Sequence, residues 1–332
     1  MPGVLTELTE LATALGVLAY DLRDGIVSRP TVLRHVNAVT WDRLARTFDA
    51  GDHRIQFETA FENGMAFRTA EDGLRGREPK LVEWKGPHNP PGDDVIPADL
   101  RIDHVYQVSC KYRSRIMQNA GPVRLFDHCL ATERRTGSDW FHEVAPQEYQ
   151  TFYDVARVMA GTDLPGSVDQ LDSTARQKLR VALRSRRLPE EMHEPWRELS
   201  AAVAERSAER WRAQLTTPGA KVRMLWRLLR IGDAPYFVLG ADGTRHLRLR
   251  VASAWDWMQS FELRSLTVEA RSAGQPEVAW RALTCDRLTH AEREVEGHVE
   301  IRWSHGRFSG SPEAKIYLGT ALGDTPGYFQ LI

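Results

Sequence analysis

The sequence predicts an α+β chain: an N-terminal α/β unit, a helical middle segment and a C-terminal antiparallel β domain. Three observations predict it. Apolar residues recur at helical spacing up to about residue 76, alternate with a period of two between 80 and 112, and return to that period beyond Gly232 after a long helical stretch. A length of 332 residues allows about two domains, each with its own core. The expected boundaries are 1–172 for the α/β domain with its N-terminal helices, 173–231 for a basic helical connector and 232–332 for a β-rich domain.

Val4, Leu8, Leu11, Leu15 and Leu18 trace an amphipathic helix over 3–24, followed by a turn at Asp24-Gly25. A second helix carries Val32, Val36, Val39, Leu44 and Phe48 and ends near Gly51. A third begins around Ile55, with Phe57, Phe61, Met65 and Phe67 along it and Glu58 and Glu62 one turn apart. After Gly76 the run from Lys80 to Trp84 alternates as a strand does, and the Pro- and Gly-rich stretch from Gly86 to Asp94 reads as a loop. Two more strands are expected, Val95 to Ile102 and Val105 to Tyr112, separated by Asp103-His104. A helix from Pro122 to about Arg134, with proline at its first turn, closes the unit.

Residues 140–172 read as a mixed connection. Leu179, Leu183 and Leu188 mark a helix interrupted by Pro189 and Pro195; Trp196, Leu199, Val203 and Ala204 open a second, and a third follows Pro218-Gly219. Pro235 to Leu239, the turn Gly240-Ala241-Asp242-Gly243 and the return from His246 to Val251 make a hairpin signal. Strand-like runs at Phe261 to Ala270, Val278 to Leu283, Val295 to Trp303 and Ala314 to Leu318 complete the β domain.

The formal charge of −1 excludes a chain that is basic throughout, and 42% hydrophobic residues argue against general disorder. The total hides a segregation. Segment 173–231 holds 14 Lys+Arg against 6 Asp+Glu, a net of +8, which leaves 1–172 at −7 and 232–332 at −2. Arg180, Arg184, Arg187, Arg206 and Arg210 on helical faces, interleaved with Trp196, Trp211 and Trp226, are candidates for gripping a phosphate backbone; a solvated connector whose tryptophans pack into neighbouring domains is the alternative. The 3 cysteines, Cys110, Cys129 and Cys285, have neither disulfide-framework nor metal-ligand spacing and read as ordinary thiols. With no signal peptide and no run near the roughly 18 apolar residues of a membrane span, a cytoplasmic chain without membrane contact is expected.

The segment from Ile96 to Tyr112 carries the chemistry. In a hairpin with period two, Asp99 lies on one face of the first strand with Leu100 and Ile102 on the other, while Gln107, Ser109 and Lys111 share one face of the second. A carboxylate, small polar groups and an amine thus gather on one face. Such a set suits metal-assisted phosphodiester hydrolysis, in which carboxylate oxygens hold Mg²⁺ and a lysine offsets charge growing on the transition state. Asp103 is either the turn residue between the strands or, if the first strand is longer, the ligand itself; hairpin geometry favours Asp99.

Over residues 55–135 the order of helix with Glu, strand, strand with Asp, strand with x-x-Lys and helix resembles the PD-(D/E)xK, or restriction-endonuclease-like, nuclease superfamily. The resemblance implies Asp99 as first metal ligand, Lys111 as the motif lysine and Glu62, with Glu58 beside it, as the acid supplied by the preceding helix. Ser109 stands where the family has Asp or Glu; in a subgroup with Ser there, a carboxylate of the following helix replaces it, here Asp127 or Glu133.

The function so implied is a Mg²⁺- or Mn²⁺-dependent DNA endonuclease (endodeoxyribonuclease) of bacterial restriction or antiphage defence, with DNA as partner and room for defence proteins or a second copy of the chain. The C-terminal β domain would recognise DNA or a partner. The rivals are a nuclease-fold subunit without activity, which binds nucleic acid or scaffolds a defence complex, and a metabolic enzyme or ligand sensor. His88, His104 and His128 lack paired zinc spacing and read as loop or surface residues. The loop Ser304 to Ser311 reads as a hairpin connection from which His305 and Arg307 could touch nucleic acid.

Overall fold

The computed structural model describes residues 3–86, 97–112, 116–127, 139–161, 163–185, 187–272 and 274–332. The elements run α1 (Val4–Leu18), α2 (Leu22–Ser28), β1 (Leu33–Arg34), α3 (Ala38–Asp49), α4 (Arg54–Thr69), β2 (Val82–Trp84), β3 (Leu100–Ile102), β4 (Tyr106–Lys111) and β5 (Ile116–Ala120). Helices α5 (Pro122–Phe126), α6 (Trp140–Val144), α7 (Pro146–Ala160), α8 (Ser173–Ala182), α9 (His193–Gln214) and α10 (Pro218–Leu228) follow. The chain ends with β6 (Tyr236–Asp242), β7 (Arg245–Val251), α11 (Ala254–Ser260), β8 (Phe261–Ser272), β9 (Pro276–Asp286), β10 (Glu292–Arg302), β11 (Glu313–Leu318) and β12 (Tyr328–Gln330). Mixed α/β architecture is therefore observed, with one mixed sheet and one antiparallel sheet.

The two compact units are not consecutive stretches of sequence. One comprises 1–115, 230–261 and 321–332; the other comprises 116–229 and 262–320. This differs from the expected boundaries because two strand sets go where backbone pairing takes them. The hairpin β6–β7 leaves the C-terminal strands and pairs β6 in parallel with β4, Val108 opposite Phe237 and Lys111 opposite Gly240. Strand β5, in turn, pairs antiparallel with β11.

In the first unit the sheet order is β1-β2-β3-β4-β6-β7-β12, parallel at β1–β2 and β4–β6 and antiparallel elsewhere. The expected helix over 3–24 divides: Ala19 adopts φ 56°, and the Asp21 side chain caps a new helix by accepting from the amides of Arg23 and Asp24. The second expected helix starts only at Ala38, where Asn37 caps it, because Leu33 and Arg34 pair instead with Val82 and Glu83. Helices α1 and α4 cross so closely that glycine is required on both: a Cβ on Gly16 would lie 2.1 Å from the Phe61 carbonyl oxygen, and one on Gly64 2.1 Å from that of Thr13. Around them Leu11, Leu15, Phe57 and Phe67 pack with Val82, Ile102, Val108 and Leu239 into one core.

The second unit carries the sheet β5-β11-β10-β9-β8. Its core is aromatic: Phe126 stacks on Trp140 at 5.6 Å and meets Trp211 edge-on at 5.3 Å, while Phe141, Tyr149 and Phe152 gather around Trp303 and Phe308. The helices expected at 173–231 are present as α8, α9 and α10. Of the helix expected from Pro122, α5 reaches Phe126, and its later part lies outside the described residues. Among the described residues no helix is long and apolar enough to cross a membrane.

Candidate active site

Helix α1 is buried on nearly every side from Glu7 to Leu18, so its two carboxylates need partners inside the fold. Glu7 takes Arg43 of α3. Glu10, 6% exposed, accepts from the Trp84 indole at 2.8 Å. Its carboxyl is pushed up to about 8, first by burial and next by the charge of Asp99, against the Trp84 hydrogen bond and the Lys85 ammonium.

Asp99 is placed by the hairpin that follows it. Its amide donates to the Val108 carbonyl at 2.8 Å and its carbonyl accepts from the Lys85 amide at 2.9 Å, which continues the ladder one residue beyond β3. Its Oδ2 accepts from the Cys110 amide at 2.6 Å and from Ser109 Oγ at 3.4 Å. Burial raises its pKa; the Cys110 hydrogen bond and the charges of Lys111 and Lys85 oppose that. Lys111 is lowered by burial and, further, by Arg230, while Asp99 favours its charged form. Two carboxylates and two ammonium groups thus share one electrostatic neighbourhood.

A polar network fixes the strand that carries Lys111. Tyr112 OH and Thr13 Oγ1 lie 2.7 Å apart, joining β4 to α1. Asn63, fully buried on α4, donates to the Gly240 carbonyl at 2.7 Å and accepts from His246 Nδ1 at 2.9 Å and Arg248 Nε at 2.8 Å. A side chain at Gly240 would meet the Lys111 carbonyl oxygen at 2.1 Å, so β4 and β6 lie in direct backbone contact.

The residues present fit a divalent cation held by Glu10 and Asp99. Besides its burial, Glu10 faces the like charge of Asp99, and a cation between the two carboxylates would offset that repulsion. Among the described residues no group of three or more His, Cys, Asp or Glu forms, but one or two carboxylates with waters is a usual Mg²⁺ environment.

Of the residues singled out in the sequence, the fold brings together Asp99, Ser109 and Lys111. Gln107 stands two residues before Ser109, opposite Arg101. Asp103 takes the turn position: at φ 50° it accepts from the amides of Lys80 at 2.8 Å and Leu81 at 3.0 Å and pairs with Arg77 at 2.5 Å. Glu62 lies half-exposed on α4 with His246 at 3.4 Å. Asp127 belongs to the other unit and pairs with Arg210 at 2.5 Å; Glu133 lies outside the described residues. Arg206 holds Glu148 through Nη1 and Nη2, and Arg210 also reaches Glu143 and lies over Trp140, so both are engaged within the protein. Arg180, Arg184 and Arg187 are exposed. Cys110 and Cys285 are free and buried, while Cys129, His88 and His128 lie outside the described residues.

Sequence reasoning passed over Glu10, Trp84 and Lys85. A signal existed for the first: a helix apolar enough to be buried all round, with Glu7 and Glu10 within it, must enclose carboxylates. Compared with protein-family models, curated proteins and solved structures, the chain matches none.

Proposed function

We propose that the chain is a metal-dependent endodeoxyribonuclease with a restriction-endonuclease-like core, hydrolysing phosphodiester bonds at Glu10, Asp99 and Lys111. The observation that supports this is the convergence of a helix carboxylate, the Asp99 carboxylate and the Lys111 ammonium around the β3–β4 hairpin. The acid that the resemblance assigns to a preceding helix is then Glu10 rather than Glu62. Bound Mg²⁺ or Mn²⁺ would supply Lewis-acid polarisation of the scissile phosphate and a more acidic water. Glu10 and Asp99 would hold the cation, the Cys110 amide and Ser109 hydroxyl orient Asp99, and Lys111 would steer the attacking water and offset charge growing on the phosphoryl oxygens. DNA as substrate and a role in restriction or antiphage defence enter through the resemblance.

A second reading keeps the fold without the activity, as a nucleic-acid-binding or scaffolding subunit. Ser109 favours it, since only two carboxylates meet at this site among the described residues. Plasmid, linear duplex and single-stranded DNA incubated with the protein in Mg²⁺ or Mn²⁺ separate the two. Cleavage should fall at least about 100-fold in Glu10→Ala, Asp99→Ala and Lys111→Ala and persist in Asp103→Ala. Activity in the three site variants equal to wild type would remove the assignment.

A further inference from the structure

The second unit contains a cavity of about 800 Å³, bounded by the C-terminal end of α8, the N-terminal half of α9, the β8–β9 turn and the loop from β10 to β11. That volume lies in the range of small-molecule sites. Arg180, Arg184, Arg197, Arg302 and Arg307 line it, and among the described residues its wall has no carboxylate. Arg197 is paired with Glu194, and Arg302 with Glu300 at 3.3 Å. Arg180 and Arg184 form no ion pair among the described residues, and Arg307 donates to the Ser185 carbonyl at 3.0 Å and the Leu183 carbonyl at 3.3 Å. The lining therefore concentrates positive charge, which selects an anionic ligand.

The rest of the wall is specific too. Trp196 and Trp303 lie with ring centroids 6.0 Å apart and planes 30° apart, and their indole N–H groups are tied to the Gly274 carbonyl at 2.7 Å and the Gly310 carbonyl at 2.9 Å. Both rings are half-buried, so each is fixed in orientation yet keeps open surface for a planar partner. Ser200 Oγ and Arg302 Nε, both lining residues, are buried there without a hydrogen-bond partner. Ser200 is 2% exposed, so its hydroxyl depends on the cavity for one.

We propose that this cavity binds a nucleoside phosphate, with the phosphate among Arg180, Arg184 and Arg307 and the base against Trp196 and Trp303. Charge alone would suit inorganic phosphate; the fixed aromatic wall and the unsatisfied polar groups call for a base as well. The same chemistry is presented by a free nucleotide and by one nucleotide of a strand. The site stands whether or not the chain cuts DNA.

Calorimetric titration of the full-length protein in chelator, where no metal-dependent cleavage occurs, tests it. The probes are the four 2′-deoxynucleoside 5′-monophosphates, the matching nucleosides, inorganic phosphate, and a short single-stranded oligonucleotide with and without a 5′-phosphate. At least one nucleotide-bearing probe should bind with a Kd below about 1 mM and about tenfold or more tighter than phosphate or nucleoside alone. Arg180→Ala and Arg184→Ala should each weaken it about tenfold with an unchanged melting temperature, and added salt should weaken it further. Mononucleotides binding as tightly as the oligonucleotide identify a free ligand; a much tighter oligonucleotide identifies a strand. No binding by any probe, phosphate binding as tightly as the nucleotides, or unaltered affinity in both arginine variants would overturn the proposal.

Discussion

Gly64→Ala tests whether the α1–α4 crossing holds the site together. The added Cβ would sit 2.1 Å from the Thr13 carbonyl oxygen and 2.7 Å from the Val17 amide nitrogen, where ordinary contact begins near 3.4 Å. Both obstacles are backbone, so no side chain can swing aside and α1 must shift by more than an ångström. Overpacking of this kind costs about 1–3 kcal/mol, and this site belongs at the upper end; replacing a helical glycine returns roughly 1 kcal/mol. A net loss of about 1–2 kcal/mol follows, equivalent to a melting temperature lower by roughly 2–8 °C for a unit of this size. Because α1 also carries Glu10 and the Thr13 partner of Tyr112, any metal-dependent cleavage should fall by more than the unfolded fraction explains. Urea and thermal unfolding provide the first readout and cleavage at a fully folded temperature the second. Gly121→Ala is the control, since a Cβ there meets nothing within 4 Å. A Gly64→Ala protein as stable as that control would refute the close crossing.

Two further predictions concern charge. In chelator, the raised Glu10 carboxyl makes stability depend on pH: the unfolded group loses its proton near 4.5 and the folded one near 8, so the folded state binds more protons between them. Stability from this group is complete below about 4.5 and is lost as pH rises through about 8; urea midpoints at pH 5, 6.5 and 8 should decline and Glu10→Gln should flatten the decline, whereas a rising series would contradict it. Arg210→Ala breaks contacts to Asp127 at 2.5 Å, Glu143 at 2.9 Å and the Trp140 ring. Because the group is 36% exposed, the expected loss is only about 1–2 kcal/mol, and the salt dependence of any DNA binding should stay unchanged; a shallower salt slope in band-shift assays would return Arg210 to the nucleic-acid surface.

Much of the secondary structure was legible because it is written in local pattern. The period of two at 80–112 located β2, β3 and β4, the proline and leucine spacing of 173–231 located α8, α9 and α10, and the glycines at 240 and 243 located the β6–β7 hairpin, though its turn falls at Gly243-Thr244 because Gly240 to Asp242 pair within it. The same local rules placed Asp99 and Lys111 on adjoining strands, a relation that depends only on hairpin register. Local signals were misread where a cap overrode periodicity, as at Asp21 and Asn37.

What only the tertiary structure decided are relations between residues far apart in the chain. Glu10 comes under the charge of Asp99 because α1 is drawn into the core by apolar burial, and no spacing rule joins positions 10 and 99. The partner strand of β4 comes from residue 236 onward because its backbone groups need a ladder and β6 supplies it, so contiguous domain boundaries could not hold. The basic segment shows the same division. Its charge was fixed by composition, but burial and ion pairing turned Arg206 and Arg210 inward to Glu148, Asp127 and Glu143 and left Arg180 and Arg184 lining a cavity. Charge and periodicity are properties of neighbours along the chain; which charges remain for a ligand depends on the partners that packing brings to them.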